Sequence, residues 1–170
     1  LDEDTEDNFH RNATSGGIDF TQYFGKKEYI FRLRTAFSNI QGSENAIART
    51  QRSAIHNFER PDADYVEYDP TRTSLSGNGG TVKIGKIGGI PNKKGGVLKF
   101  ETGVTWRTPE LELNDIGFLL SADEINHFTW AGYHIQKPFS VFRTWRINYN
   151  HWARWDFGGQ FLYSAFNTNS

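Results

Sequence analysis

The carboxylates are the residues whose types and spacing could do chemistry. One group in a single stretch offers the hard oxygen ligands that calcium binds, namely Asp62, Asp64, Glu67 and Asp69. The glycine and the terminal glutamate of a helix-loop-helix calcium site are missing, so a solvated acidic loop is the preferred interpretation. A second group could supply a glycosidase pair: Glu110, Glu112, Asp115, Asp123 and Glu124. Paired carboxylates are common on surface loops, and we predict no catalytic residue and no enzyme.

Other motifs give no cofactor or metal site. The segment Gly80–Lys86 matches the start of a phosphate-binding loop, but Ile87 stands where Ser or Thr must meet magnesium. The 5 histidines lack metal-ligand spacing, and the absence of cysteine excludes thiolate chemistry. A formal net charge of -1 gives no sign of a nucleic-acid binder. We therefore predict no cofactor and no nucleic-acid partner.

The elements that would position any site are β-strands. Residues 97–108 alternate between an apolar and a charged series, which is the period of two of a strand with two different faces. The same alternation recurs in residues 29–40 and 139–150, with arginine repeatedly on the polar side. These runs are long enough for strands of about 9–11 residues, which cross a bilayer at a tilt. In a membrane barrel the apolar series faces lipid and the polar series lines the lumen.

The shared phase assigns residues to each side. The residues expected to face lipid are Phe31, Leu33, Phe37, Leu98, Phe100, Val104, Trp106, Trp145 and Ile147. The residues expected to face the lumen are Arg32, Arg34, Lys99, Glu101, Arg107 and Arg146.

The composition favours the same fold class. Aromatic residues make up 15% of the chain, although hydrophobic residues make up only 36%, and aromatic girdles are typical of outer-membrane barrels. No apolar run approaches the length of about 18 residues that a transmembrane helix needs. Trp145, Tyr149, Trp152 and Trp155 form a cluster that could stack on sugars, but the interface between lipid and water is the preferred location.

We predict seven or eight antiparallel strands in one barrel region spanning residues 1–170. The seven strand candidates are 17–24, 29–40, 80–87, 97–108, 127–136, 139–150 and 159–166. The aromatic pattern of 127–136 indicates a bulge. Short turns at 25–28, 88–96 and 137–138 alternate with long loops at 41–79 and 109–126, so the long loops should share one rim.

Two further segments carry local expectations. Residues 1–16 are acidic and polar, which predicts a loop or an unravelled end. Within the first long loop, residues 44–53 could form one or two helical turns. Seven strands leave two unpaired edges, so we expect an internal fragment of a larger barrel whose remaining strands come from a longer polypeptide.

Three stretches carry a family resemblance. They are residues 51–76, then 77–80, then 104–119 with 122–125; the Arg60-Pro61-Asp62 and Leu113-Asn114-Asp115 segments are the most specific. Together the stretches resemble a family of large gram-negative outer-membrane proteins of unknown function. In that family a domain similar to the family-nine carbohydrate-binding modules precedes a long β-barrel. The resemblance implies an outer-membrane location and a barrel fold, and implies no catalytic residue.

The sequence therefore predicts an outer-membrane barrel segment with a role as a channel, in transport or in surface assembly. Its partners would be outer-membrane lipid and a protein or glycan at external loops, for which the candidates are Asp62, Asp64, Asp69, Asn114 and Asp115. Two alternatives remain open at this point. One is a soluble β-sandwich or lectin-like carbohydrate-binding module, and the other is a carbohydrate-active hydrolase that uses the loop carboxylates.

Overall fold

The structure, a computed structural model, describes residues 7–170. This part of the chain forms one antiparallel sheet of seven strands and one helix. The strands are β1 (His10–Phe24), β2 (Tyr29–Gly42), β3 (Ser74–Lys86), β4 (Gly96–Arg107), β5 (Glu124–Ile135), β6 (Trp145–Trp155) and β7 (Phe161–Asn169), and α1 is Glu44–Arg52. The predicted all-β, antiparallel fold class is confirmed. No helix in residues 7–170 is long and apolar enough to span a membrane.

The sheet is a meander in which each strand pairs with the next strand in the chain. Among the described residues β1 and β7 form its two edges, so the sheet is open. Meander topology also sorts the connections onto two ends. Residues 43–73, 108–123 and 156–160 lie at one end, which we call the loop end, and 25–28, 87–95 and 136–144 lie at the other, the turn end.

Several strand boundaries differ from those predicted. Residues 10–16, expected to be a loop, belong to β1 because they pair with the last residues of β2; residues 1–6 lie outside the described part of the chain. β3 begins six residues earlier than predicted, because 74–79 pair with the far end of β2. Polar and glycine-rich segments thus become strand where a long partner supplies the ladder.

The predicted bulge in the fifth strand is wrong. β5 pairs with both neighbours without a register shift. Its aromatic residues simply lie on both faces of the sheet. The predicted tight turn at 137–138 is also wrong, because β6 begins only at Trp145. Pro138 has no N–H to donate to the ladder, and an isolated bridge between Phe139 and Phe142 occupies this connection instead.

The register divides the sheet into two contrasting faces, because residues directly opposite each other on paired strands point the same way. We call one the apolar face; it carries Ile18, Phe20, Phe31, Leu33, Phe37, Val82, Ile84, Leu98, Phe100, Val104, Trp106, Ile125, Tyr133, Trp145, Ile147, Tyr149 and Trp155. The opposite one, the polar face, carries most of the strand charges.

The best-buried apolar cluster lies at the loop end on the polar face. Ile40 of β2 and Leu75 of β3 pack there against Ile47 of α1 and Phe58, all at most 3% exposed. The helix predicted within 44–53 is confirmed as α1. Ser43 precedes it as the N-cap, and its hydroxyl accepts the N–H of Ala46 at 3.0 Å. The first long connection therefore folds back onto the sheet.

Candidate functional site

The charged strand residues singled out from the sequence come together on the polar face. Arg32 and Arg34 lie on β2, Lys99, Glu101 and Arg107 on β4, and Arg146 on β6. The successive registers from β2 to β6 place all of them on the same side of the sheet. The nine residues expected to face lipid all lie on the opposite, apolar face.

Cross-strand ion pairs link the polar face. Arg34 pairs with Asp19 at 2.8 Å, and Lys83 pairs with Glu101 at 2.7 Å. Glu124 lies between two guanidinium groups, those of Arg107 and Arg154. These bridges join β1 to β2, β3 to β4, and β4 through β5 to β6. The face is a charged surface whose ion pairs also hold neighbouring strands in register.

The second long connection, residues 108–123, folds onto this face at the loop end. The backbone N–H of Glu112 donates to the hydroxyl of Ser38 on β2 at 3.0 Å. A Cβ at Gly77 would lie 2.2 Å from the backbone nitrogen of Leu111, so only glycine permits this approach. Phe118, which is 80% exposed, lines the same pocket as Arg34. The connection thus covers one end of the polar face.

A buried histidine and carboxylate fasten the two long connections together. His56 is 2% exposed and Glu112 is 6% exposed. The Nε2 atom of His56 lies 3.0 Å from Glu112 Oε2, and its Nδ1 atom lies 2.7 Å from the carbonyl oxygen of Pro109. Both ring nitrogens thus face an oxygen that can accept a hydrogen bond. The backbone N–H of Asn114 satisfies the other oxygen of Glu112 at 2.6 Å.

The surroundings of Glu112 lower its pKa. Burial, the largest influence, raises the pKa, but the hydrogen bonds from His56 and Asn114 and the charge of His56 together outweigh it. A carboxyl whose pKa is lower in the folded protein contributes stability above its ordinary pKa of 4.5 and loses it as the pH falls through the folded value.

We therefore expect acid to weaken this contact. The urea midpoint of the full-length protein should fall as the pH is lowered from about 5 to about 3, because the ordinary carboxyl pKa of 4.5 lies near the top of this range and the folded pKa lies lower. Glu112→Gln should flatten that pH dependence. The matched control is Glu59→Gln, since Glu59 is paired with Arg52 but 51% exposed; it should leave the dependence unchanged. Equal slopes for wild type and Glu112→Gln would contradict the assignment.

A second histidine contact lies beside the first. His10 of β1 places Nδ1 2.8 Å from Asp115 and Nε2 2.7 Å from the hydroxyl of Thr50 on α1. That hydroxyl donates to the carbonyl oxygen of Ala46, so it accepts from His10. These groups border a pocket of about 310 Å³ at the loop end. Asn114 lines the same pocket, and its side-chain oxygen accepts the N–H of Leu119 at 2.8 Å.

A third contact joins the first long connection to the β6–β7 turn. Asp123 is 4% exposed, pairs with Arg60, and accepts the hydroxyl of Tyr65 at 2.6 Å. Its other oxygen accepts the backbone N–H of Phe157 at 3.1 Å. The ring of Tyr65 packs on Gly158, because a Cβ at that position would lie only 2.3 Å from the Cε1 atom of the ring. The arginine of the Arg60-Pro61-Asp62 segment is therefore structural.

The acidic loop candidates do not converge. Asp62 lies 3.5 Å from Arg60 and its side chain is 58% exposed, and Asp64 is exposed. Asp69 closes a local turn, in which the hydroxyl and backbone N–H of Thr71 lower its pKa. Within residues 7–170 no three His, Asp or Glu side chains gather where they could hold a metal ion. Of the carboxylates considered for glycoside hydrolysis, Glu112 is buried against His56, and Asp123 and Glu124 are buried against arginines.

The residues that fix the site were mostly missed by sequence reasoning. His10, His56, Ser38 and Gly77 act through partners that are distant in sequence, and no local spacing marks them. The alternating pattern did find the polar face.

The apolar face is exposed over much of its area. Ile18 is 63% exposed, Phe37 53%, Leu98 51% and Ile147 41%. In the described part of the chain no second sheet covers it, because all strands belong to one sheet. The two buried apolar clusters lie at the loop end instead.

Aromatic residues mark both ends of the apolar face. Trp106 and Trp155 lie at the loop end, and Tyr29, Tyr133 and Trp145 lie at the turn end. Trp152, which the sequence grouped with the interface aromatics, is instead on the polar face opposite Phe128. Its position in β6 differs by an odd number of residues from those of Trp145 and Trp155, so the pleat turns it the other way.

Residues 7–170 thus form a β-sheet with an exposed apolar face, aromatic residues at both ends of that face, and a charged opposite face that is covered at one end. Residues 7–169 match the family described as a domain of unknown function, DUF5916, and the chain belongs to that family. No curated protein and no solved structure matches the chain.

Proposed function

We propose that this chain forms part of an outer-membrane β-barrel of a gram-negative bacterium, with its apolar face towards lipid and its polar face lining a water-filled channel. The observation that carries the proposal is the inversion of the two faces. A soluble sandwich buries its apolar face against a second sheet. Here the buried clusters lie on the polar side, and side chains such as Ile18 and Phe37 are exposed on the other.

The dimensions of the apolar face suit a bilayer. Trp145 and Trp155 stand at opposite ends of β6. Their separation is about 33 Å along the strand at about 3.3 Å per residue. At a tilt of about 45° this spans about 23 Å along the membrane normal. Outer-membrane barrels present an apolar band of about 25 Å between aromatic girdles, which is what the two aromatic ends would form.

The two edge strands support a proposal about what lies beside this sheet. In lipid an unpaired strand leaves a row of backbone donors and acceptors without water, at several kcal/mol per group. β1 and β7 are such edges among the described residues. We place further strands of the same polypeptide, or of neighbouring subunits, beside them. The two long connections would then narrow the channel at the loop end, where they cover the polar face, and would offer surface for a protein or a glycan.

The five tryptophans provide a test with an internal control. Trp106, Trp145 and Trp155 lie on the apolar face, whereas Trp130 and Trp152 lie on the polar face. Full-length variants that retain one tryptophan of this segment at a time, with other tryptophans replaced by phenylalanine, would be reconstituted in vesicles with brominated acyl chains. We expect strong quenching of the fluorescence of the first three and weak quenching of the other two.

Bromine atoms at different depths in the acyl chains would also locate each tryptophan along the membrane normal. Because Trp145 and Trp155 stand at the ends of the face, bromine close to the headgroups should quench them more than bromine near the bilayer centre. Equal quenching of all five residues, or a full-length protein that stays monodisperse in buffer without detergent, would overturn the proposed function.

A further inference from the structure

We propose that the polar face makes the channel selective for small anions, an inference that rests on the proposed function and names the class of solute. The cations of the strands on this face outnumber the carboxylates. The cations are Arg32, Arg34, Lys83, Lys99, Arg107, Arg146 and Arg154; the carboxylates are Asp19, Glu101 and Glu124.

Each carboxylate is already engaged. Asp19 pairs with Arg34, Glu101 pairs with Lys83, and Glu124 pairs with both Arg107 and Arg154. Glu124 is 3% exposed, so a passing solute would meet little of its charge. The negative charges of the face therefore serve to hold cations in place and leave none to attract a cationic solute.

Three cations remain without a counter-ion. Among residues 7–170 no carboxylate lies within ion-pair distance of Arg32, Lys99 or Arg146. Arg32 donates from Nε to the hydroxyl of Thr21 at 3.2 Å, a contact that fixes the side chain without neutralising it. The three residues lie on β2, β4 and β6 towards the turn end, so they would form an arc of uncompensated positive charge across the lumen.

The physical effect of such an arc is large in a narrow pore. Low-dielectric walls focus the field of charges that line a water-filled cleft, and this raises the local concentration of ions of opposite sign. Rings of arginine and lysine are the usual lining of anion and phosphate pores. The turn end adds lysines in its connections, namely Lys26, Lys27, Lys93, Lys94 and Lys137, against Glu28. Anions would thus be attracted to that mouth and along the face beyond it.

The test is the ion selectivity of the full-length protein in planar lipid bilayers under a potassium chloride gradient. We expect the permeability ratio of chloride to potassium to exceed one. In the combined variant Arg32→Glu, Lys99→Glu and Arg146→Glu the ratio should fall below one. The control Arg49→Glu with Arg72→Glu reverses two charges in the first long connection, which is outside the strands of the face and away from the turn end, and should leave the ratio above one.

The outcomes are separable. Two results would overturn anion selectivity and leave the proposed channel intact. The first is conductance by the wild-type protein with a permeability ratio at or below one. The second is a permeability ratio that is the same in the charge-reversed variant as in the wild type. Absence of conductance from correctly inserted protein would overturn the channel itself, and the inference with it. Heat-modifiable migration in gels would verify that each variant is folded. If the glutamate variant does not insert, a second combined variant replaces it, namely Arg32→Gln, Lys99→Gln and Arg146→Gln. This variant should bring the ratio close to one.

Discussion

Replacing His56 by leucine should lower the free energy of unfolding by about 3–5 kcal/mol, because removing one partner of a buried pair leaves the other as an uncompensated buried charge. The charge left behind is that of Glu112, which is 6% exposed. The measurement is urea unfolding of the full-length protein inserted in detergent micelles, followed by tryptophan fluorescence.

Two controls separate the buried charge from lost packing. His10→Leu removes a similar ring from the neighbouring contact, but His10 and Asp115 have side chains that are 15% and 34% exposed, so its cost should be about 0–1 kcal/mol. The double variant His56→Leu with Glu112→Leu should be less destabilised than the sum of the two single variants, since no charge remains buried. A cost below about 1 kcal/mol for His56→Leu, or strict additivity in the double variant, would contradict this role.

The position of the pair links stability to the channel. Ser38 and Gly77 on the sheet and His56 in the first connection all hold residues 111 and 112 of the second connection. Loss of the pair should therefore release residues 108–123 from the polar face before the strands separate, because the ladders of β2 to β6 do not depend on it. In the proposed channel that release would widen the loop end.

The alternating residues allowed the strand faces to be predicted from the sequence because the pleat has a period of two at every strand position. Phe31 of β2 and Leu98 of β4, for example, lie on the apolar face as their alternation with charged residues predicts. Strand ends were less predictable: nothing local in Ser74–Asn78 favours a strand, and pairing with β2 decides it. The bulge predicted in β5 is absent because Phe128 and Trp130 are aromatic residues on the polar face, and a run of aromatic residues on both faces has the same sequence pattern as a bulge.

The contacts at the loop end could not be predicted, because they join residues far apart in the chain. His56 and Glu112 are 56 residues apart, and His10 and Asp115 are 105 apart. Each of these residues has an ordinary sequence neighbourhood, so only the folded meander shows that they meet. Glu112 was considered as a catalytic acid for its type and spacing, whereas its burial against His56 gives it a structural role.

Arginine at Phe100 should cost about 2–4 kcal/mol of stability in a bilayer, the range for a cation near the midplane on the lipid side of a barrel. Phe100 lies near the middle of β4 on the apolar face, opposite Ala131 of β5.

The matched control is Asn150→Arg, near the middle of β6 on the polar face, where Asn150 donates to Asn167 at 2.8 Å. That substitution removes one exposed hydrogen bond, so it should cost about 0.5–1.5 kcal/mol. Guanidinium-induced unfolding of the full-length protein in phospholipid vesicles measures both. If the two arginines cost the same, the faces do not meet different solvents; if Asn150→Arg costs more, the apolar face is the one that meets water.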